Sequence, residues 1–171
     1  MRGVLAATGL ALALASGARA EFVAHARDFK CLRAGTPVPG KNFVLFHRNP
    51  KKLARALRVA ESDRPHLHYP VGTIIQVFPF DAMAKRGGHF NPEGGGWEFF
   101  NLEVTAQRTR IVGRTETDGT ALGNVFGSCQ NLFCHGARQA RRFDFVCEGH
   151  LPPLPIDDAE FQALRADPRC P

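Results

Sequence analysis

The chain has 171 residues, 44% of them hydrophobic, with 22 Lys and Arg against 16 Asp and Glu, a net charge of +6. That is one domain's worth of chain, enough for a single sizeable core. The positive charge is spread along the sequence. Nucleic-acid recognition needs a concentrated basic stripe and is not expected, whereas a mild positive field suits an anionic partner.

The first twenty residues read as a signal peptide, with Arg2 as a positive start, an apolar run from Val4 to Ala15, and Ala18-Arg19-Ala20 as a cleavage site. The apolar run is too short for a membrane span, and no later run is long enough. Cleavage before Glu21 leaves 151 residues, removes Arg2 and Arg19, and brings the net charge to +4. The domain expected is therefore 21–171, with a periplasmic or secreted location. Disulfides are admissible there. Five cysteines lie in this part: Cys31, Cys129, Cys134, Cys147 and Cys170. The odd count leaves at least one outside any internal pairing.

Residues 41–47 (Lys-Asn-Phe-Val-Leu-Phe-His) predict a strand. Asn49 then offers a helix cap, and Pro50 suits the first helical position, where a missing N–H costs nothing. Leu53, Ala56, Leu57 and Ala60 recur at helical spacing, while Lys51, Lys52, Arg55 and Arg58 make an opposite face expected to be solvated. Tyr69-Pro70-Val71-Gly72 is a turn, and Thr73 to Phe78 is a β-branched, apolar strand that Pro79 ends. Five glycines and a proline between Arg86 and Gly96 predict a loop without the Gly-Lys-Ser/Thr ending of a phosphate cradle. Trp97 to Val104 and Arg110 to Arg114 read as two strands joined by a hairpin connection. Gly119 to Gly127 is loop-like, and Leu151-Pro152-Pro153-Leu154-Pro155 excludes regular helix or central strand. A last helix starts near Asp157, with Glu160 in a capping-box-like position, and ends before Pro168. Short adjacent strands with helices at the ends predict an α+β fold, an antiparallel β-sheet with flanking helices in a single domain.

The chemistry lies in Ser128-Cys129-Gln130-Asn131-Leu132-Phe133-Cys134-His135. Two thiols can add to the two vinyl groups of a haem, and a histidine directly after the second is then tethered under the iron as an axial ligand. The usual spacing is Cys-x-x-Cys-His; here four residues separate the cysteines. Other readings of the same residues are a Cys129–Cys134 disulfide, a zinc site with His135 that lacks a second ligand pair nearby, and free thiols. Should haem occupy Cys129 and Cys134, one disulfide among Cys31, Cys147 and Cys170 is expected; sequence does not choose the pair.

Four stretches carry a resemblance, in order and spacing: Tyr69-Pro70-Val71-Gly72-Thr73, Trp97-Glu98-Phe99-Phe100, Cys129 to His135, and Asp144-Phe145-Val146-Cys147-Glu148. In these the chain resembles the cytochrome P-460 family, which includes the cytochromes c′-beta, over most of residues 21–171. The resemblance implies a mainly antiparallel sheet with flanking helices and a covalent haem c whose iron is five-coordinate. Carried over, Cys129 and Cys134 form the thioethers and His135 is the proximal iron ligand. Family members that oxidise hydroxylamine carry a porphyrin-linked lysine on the strand after the Gly-Thr pair. Here that strand reads Ile74-Ile75-Gln76-Val77-Phe78, and Lys85 lies beyond Pro79. The nearer analogue is then a cytochrome c′-beta with an apolar distal pocket.

The expected function is an open iron site that binds a small diatomic ligand such as nitric oxide or serves redox defence. The alternatives are a haem enzyme oxidising a small nitrogen compound, and a haem-free, disulfide-stabilised exported domain. Candidate partners beyond the ligand are a redox protein and a second copy of the chain. Phe78, Phe99, Phe100, Phe126 and Phe133 can wall a haem pocket but are more often ordinary core. His66, His68, His89 and Met83 are read as surface or loop residues rather than sixth ligands. Arg138, Arg141 and Arg142 can pair with haem propionates or form a solvated basic patch.

Overall fold

The computed structural model describes residues 21–87, 89–114, 141–146 and 157–171. Six strands form one antiparallel sheet in chain order: β1 (Thr36–Pro37), β2 (Val44–Phe46), β3 (Ile74–Gln76), β4 (Asp81–Lys85), β5 (Trp97–Val104) and β6 (Thr109–Arg114). Helix α1 (Pro50–Ala60) follows β2, and α2 (Asp158–Leu164) comes near the end. The architecture is α+β, a single domain with few helices beside its sheet.

Both helices begin where their caps place them. The Asn49 side chain accepts hydrogen bonds from the backbone N–H groups of Lys51 and Lys52, and Asp157 accepts from that of Glu160. Lys51, Lys52, Arg55 and Arg58 are all exposed, a solvated face as expected, while Ala56 and Ala60 are buried. The strand expected over 41–47 is shorter, and β3 stops two residues before Phe78. β5 runs over its expected residues, and β6 begins at Thr109.

Neither β1 nor β4 was expected from the sequence. Asp-Ala-Met-Ala-Lys is poor in β-formers. Its strand character comes from lying between β3 and β5, where Ala82 stands opposite Phe100 and Met83 opposite Phe99.

Alternation along the strands divides the core into two faces. Leu45, Ile75, Met83 and Trp97 face α1 (Ala56, Ala60), together with Tyr69 and Val146. Ile74, Ala82, Ala84, Phe100 and Leu102 face the N-terminal segment through Ala24 and Phe29. Trp97 and Phe100, adjacent-but-two on β5, are both fully buried on opposite faces. Each such aromatic contributes on the order of 2–3 kcal/mol by burial.

The two ends of the described chain are clasped together. A disulfide joins Cys31 to Cys170, Asp167 accepts a hydrogen bond from the backbone N–H of Leu32, and Arg169 donates to Phe29 O. With Cys129 and Cys134 given to a haem, sequence expected one disulfide among Cys31, Cys147 and Cys170, and the bond observed joins the first and last of these. Among the described residues no helix is long and apolar enough to cross a membrane.

Candidate functional site

Lys85 closes β4 and Trp97 opens β5, and the two are register partners on the α1 side of the sheet. Beyond Lys85 the chain must turn through residues 86–96, where Gly95 and Gly96 take left-handed conformations (φ 64° and 78°). This turn carries Gly95 O to 2.6 Å from Lys85 Nζ. The Trp97 ring centroid lies 5.1 Å from the same nitrogen, within cation–π range.

Asp144 enters this corner from the described segment 141–146. Lys85 Nζ donates to its two carboxylate oxygens at 2.6 and 2.7 Å. The Lys85 side chain is 7% exposed and that of Asp144 1%. Burial pulls the Lys85 pKa down, and the Asp144 charge and hydrogen bonds oppose this.

Asp144 has further partners. The Tyr69 N–H donates to Oδ2 at 2.9 Å, His68 Nδ1 lies 3.1 Å from Oδ1, and the Trp97 indole N–H donates to the Asp144 carbonyl at 2.7 Å. The His68 side chain that faces this carboxylate is 69% exposed. Burial also drives the Tyr69 phenol well above its ordinary value, so it stays neutral.

The backbone here is strained. Asp144 and Phe145 both have left-handed φ values, 54° and 65°, which cost non-glycine residues of order 1–3 kcal/mol each. Such conformations persist where surrounding contacts over-determine them. Gly95 takes part in this constraint, because a Cβ there would meet the Phe145 ring at 2.5 Å. The arrangement therefore brings an amine, a carboxyl and an imidazole into one row running from the core to solvent.

The residues singled out from sequence are dispersed. Cys129, Cys134 and His135 lie outside the described residues, as do Arg138, Cys147, Phe126 and Phe133. Phe78 and Phe100 are core, and Phe99 is partly buried against the α1-side cluster. His66, His68 and His89 are exposed as expected, but Met83 is a core residue, 5% exposed, because alternation on β4 turns it toward α1. Arg141 and Arg142 are exposed; Arg141 lies over the Phe145 ring, and the Arg142 carbonyl accepts from the His66 N–H.

Asp144 was visible in sequence only as part of a resemblance, and Lys85 only as a lysine in the wrong place. Nothing local links two residues 59 positions apart. Among the described residues, the one group of three donor side chains close enough for a metal is Cys31, Asp167 and Cys170. Its two sulfurs are bonded to each other, and Asp167 is taken up by Arg169 and the Leu32 N–H.

The chain matches no family model, no curated protein and no solved structure.

Proposed function

We propose that the chain is an exported c-type haem protein with an open iron site for a small neutral diatomic such as nitric oxide. Cys129 and Cys134 would hold the haem through thioethers, and His135 would bind the iron. The haem, when bound, supplies a metal that reversibly coordinates such a ligand or exchanges an electron.

The observation that carries the reading is a convergence. Tyr69, Trp97 and Asp144 belong to three of the four stretches on which the cytochrome P-460 resemblance rests, and they meet at one point. The fourth stretch is the cysteine–histidine motif, and Asp144 follows His135 by nine residues. By pairing with Lys85, Asp144 fastens its own segment to the α1 side of the sheet. The donor set is compatible as well, because the Cys31–Cys170 disulfide draws on neither motif cysteine.

Lys85 favours ligand binding over oxidation of hydroxylamine. Its amine is engaged by Asp144 and Gly95, so it is a poor candidate for a bond to porphyrin. Val77 and Phe99 are partly buried apolar side chains on the sheet face to which Asp144 docks. Such surface suits a neutral diatomic better than a charged substrate.

Expression with a c-haem maturation system, followed by denaturation and haem staining on a gel, tests the proposal. A stained band that is lost in Cys129→Ser/Cys134→Ser supports it. A colourless band with a Cys129–Cys134 disulfide would leave a haem-free exported domain. Clear hydroxylamine turnover by the stained protein would favour the enzyme instead.

A further inference from the structure

We propose that Lys85 and Asp144 become joined by an amide bond between Nζ and the side-chain carboxyl carbon, an intramolecular isopeptide cross-link. The inference is independent of the haem reading and lies wholly in the Lys85–Asp144 corner.

Three features of that corner are those a condensation needs. The first is proximity. Nζ sits 2.6 and 2.7 Å from the two carboxylate oxygens, and the strained Asp144–Phe145 backbone, Gly95 O and the Trp97 ring hold it there. Held reactants of this kind gain several kcal/mol over free encounter. The second is desolvation. Both side chains are almost wholly buried, and burial draws the Lys85 amine toward its neutral form. A neutral, desolvated lysine is a nucleophile.

The third feature is that each oxygen has its own donor. Tyr69 N–H points at Oδ2, where the negative charge of a tetrahedral intermediate would develop. His68 points at Oδ1, the oxygen that would leave, and its exposed ring opens a route to solvent on that side. The titratable groups facing the pair among the described residues are thus His68 and the neutral Tyr69 phenol.

The step balances without a co-reactant. One proton passes from Nζ to the carboxylate, giving amine and carboxylic acid. The amine electron pair attacks the carboxyl carbon, and Oδ2 takes the negative charge. His68, in its protonated form, delivers its Nδ1 proton to the Oδ1 hydroxyl, and Nδ1 then takes up the proton left on the nitrogen. The C–Oδ1 bond breaks, one water departs, and a neutral amide replaces two buried charges.

Peptide mapping of the purified, fully reduced full-length chain tests this with or without haem attached. A branched peptide joining Lys85 to Asp144, one water lighter than its two parts, is the expected result. Recovery of the Lys85 and Asp144 peptides separately and unmodified would overturn the proposal. Lys85→Arg should abolish the water loss; its persistence there would mean a cyclised aspartate and would also overturn it. His68→Ala should slow bond formation during refolding by about 100-fold, the usual size of a general acid–base contribution. An unchanged rate would contradict the shuttle.

Discussion

Asp144 places its carboxylate across the Lys85 ammonium with one oxygen near His68 and the other on the Tyr69 N–H, so a single buried side chain ties together segments 59 and 75 residues apart. Taking both charges out of water is costly, and the pair is stable because each charge is fully hydrogen-bonded.

Asp144→Ala should therefore be among the most damaging single substitutions in the described structure. It strands Lys85 as an unpaired buried cation and releases the strained turn at 144–145. A loss of about 3–5 kcal/mol is expected in urea denaturation. Replacing both partners with apolar residues, Lys85→Met with Asp144→Leu, should recover part of it.

Cys31 and Cys170 close a loop with a sequence separation of 139 residues. Restricting an unfolded chain over that length is worth up to about 5 kcal/mol in the loop-entropy description. Cys31→Ser/Cys170→Ser should lower the denaturation midpoint accordingly. The Leu32 and Phe29 contacts to Asp167 and Arg169 should still hold the C-terminal segment in place.

Burial on β4 pushes the Asp81 carboxyl up from 3.8 to about 7, against a smaller lowering by a hydrogen bond from the Ala82 backbone. Between those two values the folded chain keeps a proton that the unfolded chain has released. Stability should therefore fall as pH rises from about 4 to about 7 and then level off. Asp81→Asn should flatten that slope and be more stable than the parent at pH 8 by about 2–4 kcal/mol. Denaturation midpoints of both proteins across this pH range check it.

His135→Ala, matured in the same system, should keep the covalent haem through Cys129 and Cys134 while its electronic spectrum changes. An unchanged spectrum would exclude His135 as the iron ligand.

Much of the fold was legible because it rests on local rules. Asn49, Pro50 and Asp157 marked both helix starts, and Trp97 to Val104 read as the strand that became β5 in full. β4 was not legible, because alanines become strand residues here only between two partners already in place. The corner around Asp144 was half legible. Tyr69, Trp97 and Asp144 stood out as parts of separate stretches, but their meeting depends on a buried pairing with Lys85 that no periodicity encodes. Likewise the count of five cysteines required one to stand apart, but only the packing of the chain ends chose Cys31 and Cys170.

The most direct measurement is the mass of the peptide that spans Cys129 to His135, taken from denatured protein after c-haem maturation. The proposal expects it to carry one haem bound through both sulfurs, with the iron still absorbing visible light after the chain has unfolded. The same peptide recovered without haem, its two cysteines free or bonded to each other, would contradict it.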